Sequence, residues 1–424
     1  MRNTLLFLAG VASLATAGVP PLESQSTVDA VTLLNDVRFL SDDRLTGRMI
    51  GTPGADTAAA YLARRFSEAG LRPSPIGWFQ NFTVSPDAPA AAQAGIGGAV
   101  GKNVIGVLPG QDPDQRNEIV VVGAHYDHLG LGRFGSLDPD STGRIHNGAD
   151  DNASGASALI HIARKLAADP PRRTVVFIAF SGEEEGLLGS ENYVQHPVFP
   201  LSRTIAMINL DMVGRLRNDR LLVYGAETAR QFPALLDSLN RGTPHFDLRA
   251  GGDGWGRSDQ SSFYAAGKPV LFLFTDLHDD YHRTTDDWQK INADGLEQVA
   301  DFTVELVRAL ADRREPLTFV NAPPPAAASG TASSGYGAYL GTVPDMSDSP
   351  GGVRLSGVRA GSPAEKAGLR GNDVIVQIGD RRVPDLRAMS EALRAHRAGE
   401  VVQVRILRDG VERSVTVTLG SRGG

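Results

Sequence analysis

Cysteine is absent from all 424 residues. Its absence removes disulfides, thiolate metal sites and a cysteine nucleophile together, so any chemistry must rest on oxygen and imidazole groups. Long apolar runs are also missing. Beyond the extreme N-terminus nothing approaches the ~18 uninterrupted apolar residues that a membrane-spanning helix requires. Basic runs are lacking as well: 42 Lys and Arg face 49 Asp and Glu, for a net charge of −7. Nucleic acid is therefore excluded as the main partner, because phosphate binding relies on clustered cations. With 41% hydrophobic and 21% charged residues, the chain can bury a sizeable core and is not wholly disordered. At ~150 residues per domain the length suggests roughly three units, or one large α/β unit and a smaller one.

The start of the chain has a different character. Arg2, an apolar stretch over 5–14 and Ala15-Thr16-Ala17 form the charged, apolar and small-residue parts of a cleaved secretory signal over 1–17. Export to the periplasm or medium is the expectation, with no membrane span, and without cysteine no lipoprotein anchor is possible. A Pro, Ala, Ser and Gly stretch over 319–338 cannot supply a packed face and reads as a linker. It divides a large block, 28–318, from a small one, 339–420. Within the large block, the Ala- and Gly-rich stretch 86–101 reads as a surface loop.

Strand and helix patterns alternate through the large block. Apolar runs at 103–108, 119–124, 174–180, 205–210 and 270–274 have strand length. Their continuity suits strands covered on both faces, as in a largely parallel sheet. Helical spacing appears at 55–69, 153–168 and 293–311. The fold class is thus α/β: a three-layer sandwich with a mixed, largely parallel sheet.

Polar residues follow these strands in a telling way. The run 119–124 leads into His125-Tyr126-Asp127, and 174–180 into Ser181-Gly182-Glu183-Glu184-Glu185. The run 205–210 leads into Asp211, and 270–274 is soon followed by Tyr281-His282. The loop GADDNASG, 148–155, joins the first two. Each acid alone has an ordinary reading: Asp150 or Asp151 as a helix cap, Glu183 to Glu185 as a solvated turn. Together they gather at the carboxyl edge of the strands, where α/β sheets bind ligands. Like charges there repel unless cations neutralise them, so the set reads as a metal site. Two histidines and three carboxylates without sulfur fit zinc, ahead of manganese or cobalt. Five donors exceed one tetrahedral ion, so one carboxylate is expected to bridge two ions ~3.5 Å apart. Asp127, two positions beyond His125, is expected to accept the imidazole N–H and fix its tautomer. His161, inside a helix, reads as structural; His128 and His146 flank the motifs without being required as donors.

The motifs HYD (125–127), GADDNASG, SGEEEGLLGS (181–190), NLDMVGR (209–215) and DYHRTTDD (280–287) resemble the co-catalytic two-zinc exopeptidases of the bacterial leucyl aminopeptidase type. The resemblance covers most of 28–310, with the motifs in the family's order. It implies that Asp150 bridges two zinc ions, with a cis peptide bond to Asp151, which would lie just behind. It gives His125 and Asp211 to one ion, and Glu184 and His282 to the other. Glu183 becomes the general base, Tyr281 a donor to the developing oxyanion, and Ser258-Asp259 part of the substrate pocket. Gln260 departs from the histidine that is usual after that pair. The implied reaction is removal of N-terminal residues from peptides with a free amino terminus.

The small block carries YLGTVPDM (339–346) and GVRAGSPAEKAGLRGNDVIVQIGDRRV (357–383), then a helical DLRAMSEALRA and strands near 401–407 and 414–419. It resembles a PDZ domain of bacterial envelope proteases, a small α+β, barrel-like fold. The resemblance implies a carboxylate-binding loop at Tyr339, Leu340, Gly341 and Thr342. Met389 and Leu393 would line a groove that takes peptide C-termini by strand addition. Three further readings stand beside the aminopeptidase: a glutaminyl cyclase-like enzyme on the same fold, a carboxypeptidase-type activity, and a pseudoenzyme that works through its PDZ domain.

Overall fold

A computed structural model of the chain describes residues 28–86, 94–138, 141–256 and 258–321 of the large block. In the small block it describes 338–344, 351–358, 362–384, 388–389, 392–393, 395–397, 399–408 and 410–420. The expected signal segment and nearly all of the expected linker lie outside the described residues.

The large block is built on one nine-stranded sheet. Its strands are β1 (Arg72–Pro73), β2 (Phe79–Thr83), β3 (Val100–Leu108), β4 (Ile119–His125) and β5 (Thr174–Phe180). They continue with β6 (Thr204–Leu210), β7 (Arg220–Tyr224), β8 (Asp247–Gly251) and β9 (Val270–Phe274). The main path runs β1-β3-β5-β4-β6-β9-β7-β8, with β2 paired to β3. The central strands β5, β4, β6 and β9 are mutually parallel, whereas β3 and β7 join them antiparallel.

The continuous apolar runs are explained by burial on both faces. Val120, Val122 and Ala124 of β4 point into one apolar cluster, and Ile119 and Val121 into another. On the first face lie α1 (Val28–Leu40), α2 (Pro53–Glu68), α3 (Gly155–Ala168) and, later in the chain, Ala293–Asp312. Tyr193 of α4 (Leu188–Gln195), and Phe263 and Tyr264 of the short helix Gln260–Ala265, cover the second. Strand alternation therefore sends adjacent residues to opposite layers, which gives the expected sandwich. Because the central strands are parallel, their carboxyl ends share one edge.

Three boundaries differ from the sequence reading. The stretch 86–101 is not simply a surface loop, because Ala94 and Ile96 are buried with Ile50 and Val84, and β3 starts at Val100. Phe319 bridges to Ala229 and packs on Tyr264, and Val320 donates its amide to Thr228, so the large block runs past 318. Ala338 is buried in the core of the small block rather than belonging to a linker.

Among the described residues, the small block forms an antiparallel sheet of six strands: β10 (Thr342–Pro344), β11 (Val353–Val358), β12 (Val374–Ile378), β13 (Arg381–Arg382), β14 (Val401–Arg408) and β15 (Val411–Thr418). Ser362 caps the short helix Pro363–Lys366 by accepting the Glu365 amide, with proline at the first turn. Leu340 is buried, and its carbonyl accepts the Ala364 amide. Among the described residues, Met389 is only 3% exposed and packs within the core cluster, and Leu393 is half-buried against the same core.

Candidate metal centre

Four parallel strands deliver the site. β4 ends at His125, β5 ends just before Ser181, β6 just before Asp211, and the loop after β9 reaches His282. The fifth contribution comes from an irregular turn, Ala149–Ser154, that precedes α3.

Asp151 occupies the centre. Its Oδ1 lies 3.2 Å from His125 Nε2, and its Oδ2 lies 3.2 Å from His282 Nε2. On one side His125 Nε2 is also 3.3 Å from Asp211 Oδ1. On the other, His282 Nε2 is 3.1 Å from Glu184 Oε2, and His128 Nδ1 is 2.7 Å from Glu184 Oε1. Among the described residues, two groups could each hold a metal ion: His125, Asp151 and Asp211, and His128, Asp151 and Glu184, with donor atoms within 4.8 Å in each.

The tautomers follow from what the other ring nitrogens do. His125 Nδ1 lies 3.2 Å from the Asp127 carbonyl, and His282 Nδ1 lies 3.0 Å from the Gly135 carbonyl. An N–H donated at each Nδ1 leaves a lone pair on Nε2. Those lone pairs face carboxylate oxygens, so acceptor meets acceptor unless a metal ion or a proton lies between them. His125 Nε2 and Asp211 Oδ1 are buried with no hydrogen-bond partner. The donor set therefore fits zinc.

Electrostatics agree. Burial alone would push both imidazoles down, but Asp211 and Glu183 drive His125 well up, and Glu184 and Asp151 raise His282 to about 10. Burial lifts Glu183 well above the ordinary carboxylate range, and Glu184, Asp211 and Asp259 add to it. Burial also carries Asp127 to about 6 and Asp259 to about 7. Glu184 and Asp151 go the other way: burial raises both, but His282 and His128 hold Glu184 at about 2, and His125 and His282 hold Asp151 well below the ordinary carboxylate range.

Several expected roles move by one residue or one atom. Asp151, not Asp150, lies between the two histidines, and the cis peptide bond joins Asp151 to Asn152. Asp150 lies behind: its Oδ1 accepts the Gly214 amide at 2.7 Å, and its Oδ2 is 3.0 Å from His278 Nε2. Asp286 Oδ2 accepts the amides of both Asp150 and Asp151, at 2.9 and 3.0 Å. The shift has a simple cause, because the irregular turn does not follow helical periodicity. The Asp127 carboxylate stands 3.8 Å from His125 Nδ1, beyond hydrogen-bond distance, so the ring N–H goes to the Asp127 carbonyl instead; the carboxylate accepts the amides of Glu183 and Glu184 at 3.3 and 3.4 Å.

The remaining candidates are readily placed. Tyr281 stacks on His282 with ring centroids 3.9 Å apart. His282 has φ 56°, a left-handed conformation uncommon outside glycine and often found at functional sites. Ser258, Asp259 and Gln260 are buried, and the Asn209 amide donates to Ser258 Oγ and Gln260 Oε1. Ser258 and Gln260 thus brace the end of β6 beside Asp211. His146 Nε2 lies 2.8 Å from Ser136 Oγ, and helical His161 pairs with Asp301 at 2.7 Å. His128, His278 and Asp286 escaped the sequence reading as partners of the site. His278 had a signal, as the first histidine of the LHDDYH run.

Comparison with known proteins agrees with this geometry. Residues 103–307 match the model of Peptidase family M28, and residues 338–419 match that of the PDZ domain. Aminopeptidase YwaD of Bacillus subtilis (strain 168) is 31% identical over 230 residues, which cover 51% of this chain and 46% of that protein. The chain thus spans just under half the length of that curated relative. The structure of BSAP, a zinc aminopeptidase from Bacillus subtilis, superposes with TM-score 0.56 at 18% identity, covering 69% of this chain and 97% of that one. Porphyromonas gingivalis glutaminyl cyclase superposes with TM-score 0.55 at 18% identity, covering 66% of this chain and 98% of that one. At such identity the two superpositions establish the shared fold.

Proposed function

The chain belongs to peptidase family M28 and carries a C-terminal PDZ domain, and from that premise we propose that it is an exported zinc aminopeptidase with two ions per chain. The observation that carries the reading is the placement of Asp151 between His125 and His282, with Glu183 next to a donor. In this reading His125 and Asp211 would hold one ion, Glu184 and His282 would hold the other, and Asp151 would serve both. His128 steadies Glu184 through its 2.7 Å contact.

Bound zinc supplies a Lewis acid that polarises the scissile carbonyl and makes water acidic enough to attack near neutral pH. The chain does the rest. Glu183 takes the proton of the attacking water and returns it to the leaving amine. Asp127 holds the backbone amides of Glu183 and Glu184, which fixes base and donor relative to each other. Tyr281, stacked on His282, donates to the developing oxyanion. The loop at Leu340, Gly341 and Thr342 would offer backbone amides to a peptide carboxylate at the PDZ domain; the Tyr339 amide, expected to share this task, instead donates to the Gly420 carbonyl at 2.7 Å.

The test is a substrate panel. Aminoacyl and free peptides, their N-acetylated forms and an N-terminal glutaminyl peptide are assayed with zinc, with chelator and with zinc restored. Hydrolysis confined to free amino termini, lost with chelator and regained with zinc, is the expected result. Equal rates on acetylated peptides would overturn the aminopeptidase reading. Cyclisation of the glutaminyl peptide without hydrolysis would favour the chemistry of the cyclase neighbour.

A further inference from the structure

Residues 45–48, Leu-Thr-Gly-Arg, precede the stretch that matches the peptidase family, yet they lie against the loops that assemble its site. Thr46, Gly47 and Arg48 have φ of 47°, 73° and 50°, a left-handed run that side-chain-bearing residues rarely adopt. A Cβ on Gly47 would fall 2.5 Å from the carbonyl oxygens of Gly130 and His146, so the backbone itself fills the space between those two loops. Arg48 follows, with 0% of its surface exposed.

The guanidinium is devoted to backbone carbonyls. Nε donates to Tyr126 O at 2.7 Å, Nη1 to Asn147 O at 2.7 Å and to Leu40 O, and Nη2 to Gly148 O at 2.9 Å. Tyr126 O lies between His125 and Asp127. Asn147 and Gly148 lead directly into the turn that carries Asp151. Burial lowers Arg48 to about 10, while Asp127, Asp151, Asp286 and Glu184 support its charge.

We propose that Arg48 is a positioning residue of the metal centre, clamping the end of β4 to the Asp151 loop so that the shared carboxylate meets both histidines. The inference rests on the metal reading above. A planar fork with five donors can serve divergent carbonyls at once; a lysine ammonium is a single point and cannot.

The test uses the full chain with Arg48→Lys and Arg48→Gln. Zinc affinity is read by chelator competition, site geometry by the visible spectrum of cobalt-substituted protein, and turnover as kcat and KM separately. Arg48→Lys should weaken zinc by ~10–100-fold, the range for losing a supporting partner of a ligand. The cobalt spectrum should change, and kcat should fall more than KM rises. Folded Arg48→Lys protein with zinc affinity within about twofold of wild type and an unchanged spectrum would overturn the proposal. Wild-type protein that binds no zinc would sink the metal reading and this inference with it. Should both variants fail to fold, amide exchange on wild-type protein decides: zinc must slow exchange over 42–50, because coupling between two sites is reciprocal. Exchange there that ignores zinc would refute the clamp.

Discussion

Buried carboxylates occur in both halves of this chain, and several at the edge of the large sheet are treated oppositely from one in the small block, although Glu184 and Asp151 are held low by the site histidines. At the edge of the large sheet, burial carries Asp127 to about 6, Asp259 to about 7 and Glu183 well above its ordinary range. In the small block, burial also works against Asp373, but the forked Arg408 side chain overcomes it and holds the carboxyl below its ordinary range. One acid has a fixed cation, with contacts of 2.6 and 2.7 Å. The others crowd together around imidazoles, and the nearby Arg48 spends its donors on carbonyls. A self-contained ion pair is structural. A cluster whose charges do not close among its own side chains is what a diffusible cation would complete.

The sharpest way to break this comparison is to remove the shared donor. Asp151→Asn should abolish zinc binding and measurable hydrolysis, read by zinc content after dialysis and by turnover. Next in size, Glu183→Gln should keep its zinc while losing ~10²–10⁴-fold in kcat, the usual worth of a positioned base. Wild-type turnover in that variant would remove Glu183 from the mechanism. Asp150→Asn should act more gently, weakening zinc by ~10–100-fold through the Gly214 and His278 contacts it disturbs. If Asp150→Asn and Asp151→Asn exchanged these effects, the assignment of the bridge to Asp151 would fall.

The contrast between these adjacent aspartates also marks where sequence ceased to be legible. Strands at 119–124 and 174–180 were readable because both of their faces are buried, which demands unbroken apolar runs. The polar residues at their ends were readable as a site for the same reason. Within GADDNASG no period applies: Asp151 (φ −106°, ψ 90°) and Asn152 (φ −135°, ψ 46°) depart from helical geometry. Those dihedrals decide which carboxylate turns inward, and neither residue type encodes them. Arg48 was invisible because its partners are carbonyls, which every residue possesses. Asp127 was half legible: its proximity to the site followed from strand spacing, but its partners proved to be the amides of Glu183 and Glu184. In the small block, helical spacing paired Met389 with Leu393, and both pack on the core cluster, Met389 within it and Leu393 against it.

The small block supplies the milder tests. Asp373 is fully buried and also accepts the Arg370 amide at 2.9 Å. Replacing it with Asn should cost that block ~1.5–3 kcal/mol, the range for a hydrogen bond to a charged group. Amide exchange across β12 and β14 in the full chain reads the loss, while kcat of the peptidase block should not move. The smallest expected effect is the pH dependence of that difference. The folded pKa of Asp373 lies below the unfolded value of ~3.9, so the folded state binds the proton less readily. Its contribution is therefore complete above the unfolded value and disappears as pH falls through the folded one. The gap in exchange protection between wild type and Asp373→Asn should be constant near neutrality and narrow on acidification below about pH 4. A gap that stayed constant there would mean that Asp373 acts through shape and neutral hydrogen bonds. The contrast between a fixed ion pair here and a cation-seeking cluster in the other block would then lose one of its two terms.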